Sequence, residues 1–205
     1  MDIKERIVEV SAGMFLRKGI RSLTMSDLAK ELGISKRTLY EHFENKEQLL
    51  EACLDFWKCE KQRFDEEVNN QGFNPVEIVH KHFQHAVSVL ANVHSSFFDD
   101  LRKNYAGLWR SRYHQMEQER LNQIIHFFEF GKKEEFFRPE IQAEIAAKLF
   151  FAQVALLHDN IAFAPERFSK ADVFSEIIII FLRGICTEKG INEINRLFIK
   201  QTHNS

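Results

Sequence analysis

Residues 24–46, TMSDLAKELGISKRTLYEHFENK, admit few folds, because two short helix patterns meet at the three-residue turn Gly33-Ile34-Ser35. Thr24 can cap the first helix, and Asp27 stands three residues on, so hydroxyl and carboxylate can satisfy exposed backbone N–H groups reciprocally. Leu28 and Leu32 then fall on one face, with Ala29 beside them leaving room for a second helix to approach closely. Gly33 suits a left-handed helix end, Ile34 points inward, and Ser35 caps a second helix whose buried stripe is Leu39 and Phe43. The spacing predicts a helix-turn-helix.

The outward face of that second helix carries Lys36, Arg37, Thr38, Tyr40 and His42, donors suited to phosphate oxygens and base edges. A helical hairpin inside a larger α domain is the ordinary alternative. Residues 4–50 resemble the tetracycline-repressor (TetR) family of bacterial transcription regulators, most closely through TMSDLAKELGISKRTLYEHFENKEQLL. The resemblance implies a three-helix DNA-binding domain in residues 1–48, whose helix after Ser35 enters the major groove. It also implies an all-helical regulatory and dimerisation domain in residues 49–205. Carried over position by position, it makes Lys36, Arg37 and Thr38 base-edge or groove residues, and Thr24, Ser35, Tyr40, His42 and Lys46 phosphate-positioning ones.

Composition agrees with an all-α chain of two parts. Among 205 residues, 44% hydrophobic, there are only eight Gly and three Pro to interrupt long helices. Charge says less: residues 1–50 hold nine Lys/Arg against eight Asp/Glu, net +1, and the remainder nineteen against twenty-two, net −3. Local placement of Arg17, Lys18, Arg21, Lys36, Arg37 and Lys46 near the DNA face matters more than the total. Cys53 and Cys59 are six residues apart and point to different sides of one helix, and Cys186 has no nearby partner, so no disulfide or zinc spacing is present. With no basic, apolar leader and no apolar run of ~20 residues, a reducing cytoplasm is the expected compartment.

Helix signals continue along the chain. A first helix is expected over 2–17, ending at Gly19, with Ile3, Ile7, Val10, Met14 and Phe15 inward. Asn45 caps a long fourth helix running to about Val68, 69–74 reads as a loop, and Asn74-Pro75 opens a helix to about Val93. Residues 95–108 read as a broken helix, 110–130 as a helix closed by Gly131, and Pro139 opens a stripe through Ile145, Leu149, Ala152 and Leu156. Ser169 and Asp172 repeat the cap spacing ahead of a helix to Ile185, although Ile177 to Leu182 is a run that also suits a strand. A last short helix is expected over 192–200.

A helix apolar all round must be covered on several sides, either by its own core or by a partner subunit. Family resemblance favours an interface: residues 139–163 and 169–189 would form a four-helix bundle with a second copy through Leu149, Ala152, Leu156, Ile177, Ile180, Phe181 and Gly184. A twofold homodimer places two recognition helices ~34 Å apart, so a palindromic double-stranded operator follows. Twenty Phe exceed what a small core obviously needs, with adjacent pairs at Phe97-Phe98, Phe127-Phe128, Phe136-Phe137 and Phe150-Phe151. Most such rings are core. The remainder, with polar anchors, suits an apolar effector pocket, which the resemblance also implies: the candidates are Phe64, His85, Tyr105, Trp109, Tyr113, Phe127, Phe151 and His158. His82 and His85 share a helix face near His80, but with no clear third ligand the expectation is no metal and no cofactor. No nucleophile–base set or phosphate loop supports an enzyme. The expected activity is a repressor released from DNA by a small, largely apolar ligand; a regulator controlled by a partner protein, or a helical enzyme with a DNA-binding appendage, are the alternatives.

Overall fold

The computed structural model describes residues 2–158, 161–164 and 166–199, with only the backbone considered at 112–118, 158 and 199. In chain order the helices are α1 (Ile3–Lys18), α2 (Met25–Leu32), α3 (Lys36–His42), α4 (Lys46–Asn69), α5 (Pro75–Asn92), α6 (Phe97–Asn104), α7 (Ala106–Lys133), α8 (Ala143–Ala155), α9 (Lys170–Ile185) and α10 (Glu188–Ile194). A 3-10 turn follows α8 at Leu156–His158, and a π turn follows α10 at Asn195–Ile199. Among the described residues the only extended pairing is a single antiparallel bridge between Phe137 and Cys186.

Local caps account for most helix starts. Asn45 Oδ1 accepts from the Gln48 N–H at 2.9 Å, and Asn74 Oδ1 accepts from the Val76 and Glu77 N–H groups at 3.0 Å each. Ser169 Oγ accepts from the Asp172 N–H at 3.1 Å, so α9 starts where its cap stands and the isoleucine run is helical. Val173, Phe174, Ile178, Leu182 and Ile185 bury one side of it, while Ile180 remains 63% exposed on the other.

Three expected boundaries move. Gly131 does not close α7, which starts at Ala106 and runs on to Lys133. The glycine is needed for contact instead: a Cβ there would lie 2.1 Å from the Phe137 ring. α8 begins at Ala143 rather than Pro139, because the Ile141 N–H is taken by the Arg138 carbonyl and the first helical bond runs from Ala146 to Gln142. It ends in the turn through residue 158, short of residue 163. α10 starts at Glu188, before the expected 192, because Thr187 Oγ1 caps the Gly190 N–H. Pro165 and Lys200 lie outside the described residues.

Packing divides the chain into two compact units, one of Met1–Glu67 with Asn92–His114, the other of Val68–Ala91 with Gln115–Ser205. This differs from a cut at residue 48. The first turns of α4 bury Leu49, Leu50 and Cys53 with Ile7, Phe15, Leu28, Leu32 and Leu39, and α6 adds Phe97 and Leu101 to the same core. Trp57 meets Phe97 edge to face at 5.4 Å. Hydrogen bonds complete the docking of the α6 region: the His94 N–H donates to the Leu16 carbonyl at 2.7 Å and the Arg21 N–H to the buried Asp100 Oδ2 at 2.9 Å.

The second unit centres on Phe137, fully enclosed, whose ring lies 5.6 Å from Phe127 and 5.7 Å from Phe128. The Arg138 N–H donates to the Ile185 carbonyl at 2.9 Å and the Thr187 N–H to the Phe136 carbonyl at 3.0 Å, which pins the α7–α8 connector to the α9–α10 connector. On α5, buried His80 packs edge to face with Phe198 at 4.9 Å, and Glu77 pairs with Arg196 at 2.8 Å. Burial first, then Lys81 and Arg196, hold the His80 pKa below its ordinary 6.5. Among the described residues no helix is long and apolar enough to cross a membrane.

Candidate nucleic-acid interface

The α2 start is a closed reciprocal cap. The Asp27 N–H donates to Thr24 Oγ1 at 3.2 Å, and the Thr24 N–H and hydroxyl donate to Asp27 Oδ2 at 2.8 and 2.6 Å. The Thr24 hydroxyl, then its N–H, keep the Asp27 carboxyl below the ordinary carboxylate range. At the far end Gly33 adopts φ 67°, and the N–H groups of Gly33 and Ile34 return to the Lys30 and Ala29 carbonyls at 3.1 Å each. No atom crowds a Cβ at Gly33, so its role is the left-handed backbone itself.

Ser35 Oγ accepts from the Thr38 N–H at 3.0 Å and lies 2.8 Å from Thr38 Oγ1, which orders the first turn of α3. Leu39 and Phe43 are buried, so the opposite side of this short helix faces outward. Lys36 Nζ sits 5.7 Å from the Tyr40 ring centre, and Arg37 Nε donates to Glu41 Oε1 at 3.2 Å while the arginine side chain stays 90% exposed. Lys36, Arg37 and Tyr40 are thus presented together on an exposed surface. Thr38 is half-buried. His42, also half-buried, lines a small surface cleft with Lys4, Phe43 and Glu51.

Lys46 is held differently from the other candidates. Its ammonium donates to the Leu23 carbonyl and lies 6.0 Å from the Phe15 ring centre. Burial lowers its pKa from the ordinary 10.5, against the opposing influence of Asp100 and Asp27. A charge spent on clamping α4 to the α1–α2 connector is not a simple surface cation. Two residues that sequence reasoning passed over also matter: Glu41, signalled by its place four residues after Arg37, and Asp100, whose hydrogen bond to Arg21 spans 79 residues and leaves no local signal.

The effector candidates divide between the two units. Phe64, Tyr105 and Trp109 belong to the first, where Tyr105 and Trp109 pack against its core; burial raises the Tyr105 phenol above its ordinary 10.0, with Glu47 and Asp100 adding to the effect. His85, Phe127 and Phe151 belong to the second, His85 being exposed, Phe127 against Phe137 and Phe151 against Phe150 at 5.9 Å. The side chains of Tyr113 and His158 lie outside the described residues. Among those described, no three His, Cys, Asp or Glu side chains are placed to share a metal ion. All three cysteines are free, Cys53 and Cys186 buried and Cys59 exposed.

On α8, Ile145 and Leu149 are 53% and 56% exposed, and Ala152 and Leu156 continue the same outward stripe. α9, packed on α8, presents Ile180 and Gly184, the latter with open space where a Cβ would stand. Ile177 is half-buried. Phe181, also half-buried, packs within its own unit 5.2 Å from Phe150 and 6.1 Å from Phe128.

Residues 7–53 match the family model described as bacterial regulatory proteins, tetR family. Over 186 residues the chain is 22% identical to the uncharacterized HTH-type transcriptional regulator YvaF of Bacillus subtilis, covering 90% of this chain and 96% of that one. It is 25% identical over 146 residues to the HTH-type transcriptional repressor KstR2 of Mycobacterium tuberculosis, covering 68% and 71%. The solved structure of that ketosteroid transcriptional regulator aligns with a TM-score of 0.60 at 20% identity, covering 91% of this chain and 96% of the other. A transcriptional regulator from Cytophaga hutchinsonii aligns at 0.70 and 17% identity, covering 89% and 98%.

Proposed function

We propose that this chain, a DNA-binding transcriptional regulator that belongs to the TetR family, is a homodimeric repressor of a palindromic operator. Residues 1–48 read the DNA, with Lys36, Arg37 and Thr38 toward base edges and Thr24, Ser35, Tyr40 and His42 toward phosphates. Lys46 acts mainly by holding α4 against the Leu23 carbonyl. Residues 49–205 dimerise and take a small, largely apolar effector in the cytoplasm. The observation that carries this reading is α3 itself, which buries Leu39 and Phe43 and turns Lys36 and Arg37 outward from a doubly capped helix-turn-helix. The apolar stripe of α8 and α9 supports the dimer, since exposed Ile145, Leu149 and Ile180 gain stabilisation only when covered. KstR2, a repressor by name, supports the direction of control, and its description as a ketosteroid regulator puts apolar ligands first among effectors to try. An effector that binds a conformation with poorly spaced recognition helices weakens operator binding by its differential affinity.

The test is selection of genomic fragments by the full chain, followed by footprinting and sedimentation. The expected results are a palindrome protected on one face, a species of twice the 24.2 kDa chain mass, and a monomer with weakened operator binding when Leu149→Glu and Ile180→Glu are combined. A sole 24.2 kDa species protecting an asymmetric site would sink the dimeric reading.

A further inference from the structure

Arg37 and Glu41 are one helical turn apart on α3, opposite the buried Leu39–Phe43 stripe. Arg37 Nε donates to Glu41 Oε1 at 3.2 Å, and among the described residues no other protein acceptor engages the guanidinium. The carboxylate therefore engages Nε, and among the described residues both terminal amino groups are left without a protein acceptor on a side chain that is 90% exposed. Those two groups are what a guanine accepts bidentately at O6 and N7. An acidic residue in the middle of a DNA-facing helix is costly beside phosphates, and an exposed i,i+4 pair stabilises the fold little. Both facts argue that its value lies elsewhere.

We infer that Glu41 is a positioning residue for base recognition, tethering Arg37 by its Nε so that the terminal amino groups are presented to a guanine in the major groove. An untethered arginine of this length reaches phosphate oxygens on either side as readily as a base edge, and a phosphate contact carries no sequence information. The tether removes those alternatives before DNA arrives, so less side-chain freedom is lost on binding. The negative charge also lowers affinity for every duplex alike, which favours discrimination over tightness. This rests on α3 being the helix that reads base edges.

The experiment is selection from a randomised duplex library by the full-length protein, comparing wild type with Arg37→Ala, Glu41→Ala, Glu41→Gln and the Arg37→Ala/Glu41→Ala pair, each checked for unchanged helix content. Arg37→Ala should erase a guanine preference of roughly 5- to 150-fold at one position per half-site, the fold-change equivalent of a good bidentate pair. Glu41→Ala should reduce preference at that same position by about two- to five-fold, within the range of an exposed ion pair, without weakening binding to random duplex. Glu41→Gln, which keeps an acceptor oxygen, should fall between wild type and Glu41→Ala, and the double variant should match Arg37→Ala because the two act as one unit. A Glu41→Ala protein with wild-type preference, a change at a different base position, or Glu41→Gln equal to Glu41→Ala would each overturn the tether. If Arg37→Ala itself leaves base preference intact at every position, Arg37 reads no base and the tether falls with it, whereas α3 fails as the reading helix only if Lys36→Ala and Thr38→Ala leave the preference intact as well.

Discussion

The helix-turn-helix and the α7–α9 region are tied together over very different distances along the chain. In the first, the hydrogen bonds that set the starts of α2 and α3 span three residues, from Asp27 to Thr24 and from Thr38 to Ser35. In the second, the connectors are joined by bonds such as Thr187 Oγ1 to the Glu135 carbonyl, which span 52 residues. Short loops close at small entropic cost, so the caps of α2 and α3 are available before any tertiary core exists. The bonds around Phe137 form only once α7, α8 and α9 have been brought together, and packing of the ring must supply the stabilisation. Function follows the same division. The surface proposed to meet DNA is preset by local rules, whereas the second unit owes its order to contacts that exist only in the folded chain.

This contrast can be broken most forcefully at Phe137. Truncation to Ala removes a fully enclosed ring from contact with Phe127 and Phe128, and should cost about 3–5 kcal/mol in urea unfolding. A loss below about 1 kcal/mol would mean the second unit does not depend on that packing. Smaller effects belong to the local devices: Thr24→Ala and Ser35→Ala should each cost about 1 kcal/mol, with faster amide exchange confined to α2 and α3. If either cap deletion equalled Phe137→Ala, the distinction between local and tertiary support would disappear. The subtlest effect is a difference in pH slope at His80. Because its folded pKa is held below 6.5, the unfolded chain takes up a proton that the folded chain refuses as pH falls through that value. Stability should therefore decline below about pH 6.5, and His80→Phe should shallow that decline in melting temperatures measured from pH 8 to 5. An identical slope in the variant would remove His80 from the account.

Residues whose role is local were legible in the sequence. Thr24 with Asp27, Ser35, Asn45 with Gln48, Asn74 ahead of Pro75, and Ser169 with Asp172 all cap the helices their spacing announces. What local spacing left unseen shares one cause. Gly131 carries the usual mark of a helix end, yet it lies inside α7 because only a missing Cβ admits the Phe137 ring. Lys46, which the family resemblance makes a phosphate contact, also donates its ammonium to the Leu23 carbonyl, a packing contact that no local pattern announces. Phe181, half-buried beside exposed Ile180, also packs against Phe128 and Phe150, contacts that the apolar run itself does not announce. Asp100 had no signature at all, since its partner is the Arg21 N–H far along the chain.

What the sequence determined by itself was the sites of most helix starts, the left-handed turn at Gly33 and the chemistry carried by α3. Each depends on neighbours within about four residues, the range over which side-chain caps and helix periodicity act. Only the tertiary structure decided which phenylalanines are core, which isoleucines of α8 and α9 are exposed, and that the Lys46 ammonium engages the Leu23 carbonyl. Burial is a sum over elements that are distant in sequence, and no local spacing encodes that sum.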